Sequence, residues 1–372
     1  MKVTALEACT CVVALRKGVA FATRAVRERH FTLVRVRTDA DVEGIGFCYA
    51  GHKAGRLVTL AVRDLLRDVV VGRDPRLVEA LWDAMYRESL LHGRRGAVLR
   101  AMSAVDIALW DAIAREAGLP LYRYLGEDPE EVVPAYASGG YYAEGKGPDE
   151  LAQEMRGYRD MGFRAVKMKV GGLAPREDAL RVRAAREAVG REVSLFLDAN
   201  NAWPDASTAI SAVRIFEEYE PGWIEEPLMP DDIEGHAAVA AAVRTPVATG
   251  EIHATRWDFL EILHRKAASI LQADAGVCGG ITEWRKIAAM ADRHKVAVAP
   301  HWLAEVHAHL VAATPNAIWV EYFPDFSVIS LGRLFSTRLE VRAGGLALSQ
   351  GPGLGVELDE AAVRAYSVDG WG

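Results

Sequence analysis

From about residue 132 the chain repeats one unit: a short apolar run, a polar loop, then an amphipathic helical stretch. The runs are VVPAYA, AVKMKV, VSLFLDA, WIEEP, VATGE, ILQADA, VAVAPH and IWVEYF, with helical segments such as 175–189, 205–219, 255–266 and 282–294 between them. Strands that alternate with helices pair in parallel through crossovers, and eight of them favour closure into a barrel over an open sheet. The expected fold is therefore α/β, a TIM-like (β/α)7β barrel over residues 131–330.

The flanks read differently. Residues 1–130 look α+β. FTLVRVRTDADVEGIGFCYAG is two strands joined by a polar turn, and 97–117 carries apolar residues at three-and-four spacing until Gly118 and Pro120 stop it. The tail, 331–372, is rich in Gly and short apolar runs. It is expected to return to the first domain, so that both ends of the chain form one α+β capping domain. A length of 372 residues suits a large barrel plus such a domain.

Composition removes several function classes. Net charge is −7 and no Lys/Arg-dense stretch forms a basic patch, which argues against nucleic acid. No apolar run approaches a membrane span. MKVTALEACTCVVAL alternates and contains Glu7, so it reads as a strand rather than a signal peptide. The four cysteines are Cys9, Cys11, Cys48 and Cys278; the pair at 9 and 11 lacks a second ligand pair and reads as strand residues. A reduced, cytoplasmic protein is expected.

In a parallel barrel the C-terminal strand ends converge on one mouth, where active sites are built. Ionisable residues fall at those ends one strand after another: Lys167 and Lys169, Asp198, Glu225, Glu251, Asp274, His301 and Glu321. A single charged side chain at a strand end is ordinarily solvated or paired; a series in register is not explained that way. Asp198, Glu225 and Glu251 would bring three negative charges to one point, which is costly without a cation. Oxygen-only ligands suit Mg²⁺, or Mn²⁺. The competing reading is an ion-pair network with the barrel lysines. Glu226, next to Glu225, is expected to point the other way.

Lys167 and Lys169 alternate across Met168 and share one side of their strand. Their repulsion is expected to lower the pKa of one towards a usable base. Asp274, one strand before His301, can bond one ring nitrogen and raise the basicity of the other. His307 and His309 show no comparable partner. A lysine and a His–Asp pair would then flank a central metal.

These residues and their surroundings resemble the enolase superfamily, mandelate racemase subgroup, over nearly the whole chain. The likeness runs through SAVDIALWDAIAREAGLPLYRYLG, the KMK of AVKMKVG, LDANNAW, WIEEP, ATGE, LQADAG, APHW, IWVEYF and GPGLGVELDE. It implies Asp198, Glu225 and Glu251 as Mg²⁺ ligands, Lys169 as base and Lys167 as its partner at the substrate carboxylate. It implies His301, oriented by Asp274, as acid/base on the other face, Glu321 as donor to the carboxylate and Asn200 as contact to the 2-hydroxyl. It also implies a homo-oligomer. The muconate-lactonising branch would place a lysine between 267 and 285, where none stands. The galactonate dehydratase type would place a histidine at position 200, which is asparagine.

The implied chemistry is Mg-dependent abstraction of the proton α to a carboxylate through an enediolate. The leading expectation is dehydration of an acid sugar to a 2-keto-3-deoxy acid. A racemase or epimerase of a 2-hydroxy or amino acid is the same-fold alternative, and a non-catalytic metabolite-binding protein the alternative of another class. Specificity is expected from capping loops at 17–24 and 49–53, with Arg24, His52 and Lys53 facing a distal hydroxyl or second carboxylate and Tyr141 and Tyr142 lining the polyol.

Overall fold

The computed structural model describes residues 1–126, 132–325 and 329–372. The expected junction at 130/131 lies outside the described residues. The strands β1 (Val3–Phe21), β2 (Arg24–Thr38) and β3 (Glu43–Tyr49) form an antiparallel sheet. Behind it run α1 (Gly55–Leu60), a π-helical stretch Ala61–Leu66, α2 (Arg67–Val70), α3 (Val78–Ser89), α4 (Ala97–Glu116) and α5 (Leu121–Tyr124). Two glycines of β3 set how closely α4 lies on the sheet. A Cβ at Gly44 would meet the Ala108 carbonyl oxygen at 2.2 Å, and one at Gly46 the Ala104 oxygen at 2.0 Å.

The barrel strands are β4 (Val132–Ser138), β5 (Ala165–Lys169), β6 (Ser194–Asp198), β7 (Trp223–Glu225), β8 (Val247–Thr249), β9 (Ile270–Leu271), β10 (Ala297–Val298) and β11 (Val320–Tyr322). Between them run α6 (Pro148–Asp160), α7 (Pro175–Val189), α8 (Ala206–Phe216), α9 (Ile233–Ala242), α10 (Thr255–Arg265), α11 (Gly280–Arg293) and α12 (Ala304–Ala312). Successive strands pair in parallel from β4 to β10, β11 pairs with β4, and a Val298–Ala317 bridge closes the ring. This is the (β/α)7β barrel expected from the repeat.

Tyr136, Ala165, Phe196, Trp223, Ala248, Ile270 and Ala299 fill the interior, with the Phe196 and Trp223 rings stacked at 3.4 Å. That plug gives the mouth a solid floor. Alternation along β5 puts Ala165 in the plug and Lys167 and Lys169 above it, while Val166 and Met168 face the surrounding helices.

The tail divides between the two bodies. β12 (Val341–Arg342) and β13 (Gly345–Ala347) form a hairpin that extends the start of β4, with Gly345 opposite Pro134. α13 (Glu360–Tyr366) and the last residues lie along β1, where the Val368 N–H donates to the Thr10 carbonyl at 3.0 Å. The bodies also meet where α4 crosses α11. The residue before α11 is Gly279, which has no side chain to cap the helix. Asp106 of α4 takes that role, accepting from the Thr282 N–H at 2.9 Å and its hydroxyl at 2.6 Å. Gly280 has φ +91°, and a Cβ there would meet the Asp106 carboxylate at 2.3 Å. Among the described residues no helix is long and apolar enough to cross a membrane.

Candidate active site

Pairing register builds the floor of the site. Lys169 lies opposite Asp198 and Asp198 opposite Glu225, so three charged side chains stand abreast on β5, β6 and β7. Glu251 follows Gly250 just past β8. Carboxylate oxygens of Asp198, Glu225 and Glu251 lie within 4.8 Å of one another. The Lys169 ammonium donates to Asp198 at 2.5 Å, and the Asn200 N–H donates to its other oxygen at 2.9 Å. The Lys167 ammonium bridges Glu225 at 2.6 Å and Glu321 at 2.7 Å. The Trp223 indole also donates to Glu225, at 3.2 Å. An all-oxygen group this compact fits a hard divalent cation such as Mg²⁺.

Burial opposes every charge here, and the outcome depends on the neighbour. For Asp198 the Lys169 and Lys167 ammoniums outweigh burial and hold the carboxyl at about 2. Glu321 is held at about 2 by Lys167 and His301. Glu225 is pushed up to about 8 by burial and then by the Asp198 charge. A cation placed among these carboxylates would favour the charged form of Glu225 against both causes. Both lysines go up, not down, which corrects the expectation of a depressed base. Lys167 does lower the Lys169 value, but Asp198 attracts that ammonium more strongly than Lys167 repels it.

The other side of the mouth holds the His–Asp pair. His301 Nδ1 lies 2.9 Å from Asp274, whose second oxygen accepts from the Gly276 N–H at 2.7 Å. His301 Nε2 lies 3.6 Å from Glu251. Burial would depress this imidazole, but Glu251 and Asp274 carry it up to about 9. Trp302 donates its N–H to Glu321 at 2.8 Å, and left-handed backbone at Trp302 and Leu303 turns the chain sharply after His301.

A cavity of about 420 Å³ lies between this floor and the capping domain. Lys169, Glu251, His301 and Glu321 line it, as do Asn200, Arg24, His52 and Tyr141. The Asn200 side-chain oxygen is buried with no hydrogen-bond partner. Segment 17–24 is not a loop but the end of β1 and its turn into β2. Backbone bonds between Ala20 and Tyr142 pin it to the barrel. Tyr142 itself stays out of the wall, because its ring stacks on Arg181 at 3.9 Å and its hydroxyl donates to Asp178 at 2.7 Å. Lys53 is exposed outside the wall as well.

Glu226 also departs from expectation. The strand ends at Glu225, and φ of +41° at Glu226 swings its side chain into the cavity instead of away from it. Both its carboxylate oxygens are buried with no hydrogen-bond partner, and burial followed by Glu251 and Asp198 drives its pKa well up. Alternation is a rule for strands, and it stops with the strand.

Sequence reasoning set His307 aside as lacking a partner and passed over Arg29 and Arg100. His307 lies under the His–Asp pair, Nε2 accepting from the Ala275 N–H at 3.0 Å and Nδ1 donating to the Trp302 carbonyl at 2.7 Å. It ties the residue after Asp274 to the residue after His301, and its spacing of six from His301 was the only available clue. Arg29 and Arg100 stand in the cavity wall on the capping side. Nothing in the surrounding sequence sets them apart from other arginines.

Two family models match the chain. The mandelate racemase/muconate lactonizing enzyme N-terminal domain model matches residues 5–126, and the enolase C-terminal domain-like model matches residues 150–362. The chain belongs to the mandelate racemase/muconate lactonizing enzyme family of the enolase superfamily. Among relatives in that family, L-talarate/galactarate dehydratase of Salmonella typhimurium is 37% identical over 89% of this chain and 81% of its own. Arabinonate dehydratase of Saccharolobus solfataricus is 34% identical over 83% of each. A racemase of Streptomyces coelicolor, solved with bound magnesium, superposes with a TM-score of 0.92 at 29% identity, covering 98% of this chain and all of its own.

Proposed function

We propose that the protein is an Mg²⁺-dependent dehydratase that converts an acid sugar to a 2-keto-3-deoxy acid. The observation that carries this reading is the group of three carboxylates with a lysine against one end and a histidine–aspartate pair against the other. Asp198, Glu225 and Glu251 would hold the ion, which supplies positive charge to a substrate carboxylate as its α-carbon loses a proton. Lys167 stands ready to bond the same carboxylate, and Glu321, joined to it at 2.7 Å and held ionised, orients that ammonium rather than donating a bond of its own.

Lys169 takes the C2 proton and must do so as the free amine. Its ammonium is held mainly by Asp198; when that carboxylate shares its charge with a cation, the hold relaxes. The C2–H electron pair enters the enediolate and then forms the C2–C3 double bond as the C3 hydroxyl leaves. His301, protonated and aligned by Asp274, gives that hydroxyl its proton, so water departs and the enol tautomerises to the keto acid. Asn200 offers its unpartnered oxygen to the 2-hydroxyl. The relatives named as acid-sugar dehydratases support this direction.

The test is a screen of mono- and diacid sugars with Mg²⁺, read as 2-keto acid formation. Keto acid from at least one of them is the expected result. No keto acid, but deuterium uptake at C2 of a hydroxy or amino acid, would replace dehydration by racemisation, for which the same two proton-transfer groups suffice. Neither signal from any substrate would leave a binding protein.

A further inference from the structure

The two walls of the cavity differ in charge. The barrel contributes all of its acids, Glu226, Glu251 and Glu321, whereas the capping domain contributes Arg24, Arg29, Arg100 and His52 and no acid at all. Arg29 is the deepest of these, only 4% exposed, with its guanidinium 5.0 Å from the Trp302 ring centre and 5.3 Å from that of Tyr49. Arg100, half-buried, donates through Nη1 to the Tyr49 carbonyl at 2.6 Å and makes no ion pair among the described residues. A backbone carbonyl is a neutral partner, so this guanidinium keeps its full charge in a partly desolvated place. Such an arrangement is costly unless an anion completes it.

We propose that Arg29 and Arg100, with Arg24 and His52 at the rim, form a second carboxylate site. The substrate of the site proposed above would then be a sugar diacid rather than a monoacid. One carboxylate would sit at the floor and the reacting C2 over Lys169. The other would reach across the cavity to the arginines, whose planar donors suit a carboxylate. This inference rests on the dehydratase reading, since it takes the floor as the place of the first carboxylate. The family does not decide the matter, because its relatives here include one named for a diacid and one named for a monoacid.

The test compares six-carbon diacids with the monoacids of matching configuration, in wild type and in Arg100→Met. The expected wild-type result is a kcat/KM higher for diacids by at least about a hundredfold, the scale of one or two charge-assisted bonds. In Arg100→Met the ratio of diacid to monoacid kcat/KM should fall at least about tenfold, mainly through KM, and Arg100→Lys should restore part of it. A purely structural arginine would lower both substrates together and leave the ratio unchanged, which overturns the assignment. Turnover of monoacids with none of diacids overturns it too, while leaving dehydration intact. If neither class turns over, the dehydratase reading fails separately. Calorimetric binding to Lys169→Ala with Mg²⁺ then still decides the second site: tighter binding of diacids upholds it, and tighter or equal binding of monoacids sinks it.

Discussion

The barrel floor and the capping wall face each other across one cavity and are specified in different ways. Floor residues sit at consecutive strand ends, so backbone pairing alone brings Lys169, Asp198 and Glu225 side by side. The wall is drawn from β2, the segment after β3 and α4, and its members meet only because the sheet and helix pack through Gly44 and Gly46. The floor is acidic and cross-linked by its own lysines; the wall is cationic and stacked on aromatic rings. The contrast separates a site for bond making and breaking from a site for choosing the substrate. Changes to the floor should therefore remove rate, and changes to the wall should alter preference.

The largest effect tests that division directly. Lys169→Ala and His301→Asn are each expected to cut turnover by roughly 10²–10⁴-fold, the usual worth of a positioned acid or base. Circular dichroism should stay close to wild type in both variants, while the melting transition of Lys169→Ala should fall, because Asp198 loses a buried partner. Normal turnover in both variants would break the assignment of chemistry to the floor.

That same contrast explains what the sequence could and could not convey. The eight-strand repeat, the strand-end charges and the His301–Asp274 pair were legible because one periodicity places all of them. Glu226 was misread because strand alternation was extended one residue too far, into left-handed backbone. The sign of the lysine shift was missed because it depends on the distances from Lys167 and Lys169 to Asp198, Glu225 and Glu321. Tyr142 and Lys53 were placed in the wall by their position in the chain alone, and packing on Arg181 takes Tyr142 elsewhere. Arg29 and Arg100 lie far apart in sequence with unremarkable neighbours, so only tertiary packing brings them together.

A smaller effect should separate residues that touch the substrate from those that position them. His301 is carried up to about 9 by Glu251 and Asp274 against the pull of burial. A raised pKa keeps the imidazole protonated to higher pH, so kcat/KM for dehydration should fall as pH rises through a limb between 6.5 and about 9. A cation on Glu251 would weaken the largest of the raising causes and draw the limb towards the lower end. Asp274→Asn removes the aspartate's share, leaving that of Glu321, and should move it lower still. His307→Gln leaves Asp274 in place and should lower the rate by less than His301→Asn does, with little movement of the limb. An unmoved limb in Asp274→Asn would show that the aspartate orients the ring without tuning it.

The smallest expected effect bears on whether floor and wall are held in place independently. Asp106 reaches from the capping helix α4 to the start of barrel helix α11, where Gly279 has no side chain of its own to offer. In Asp106→Ala the Thr282 N–H and hydroxyl lose their buried acceptor, which should destabilise the protein by about 1–3 kcal/mol. Asp106→Asn retains one acceptor oxygen and should cost less. The denaturant midpoint checks both variants. Because the joint lies away from the cavity, kcat/KM of folded Asp106→Ala should stay within about threefold of wild type, and the substrate preference with it. Loss of preference without loss of rate would mean that the joint aims the arginine wall at the floor. Cap and barrel would then be one specificity device rather than two separately built surfaces.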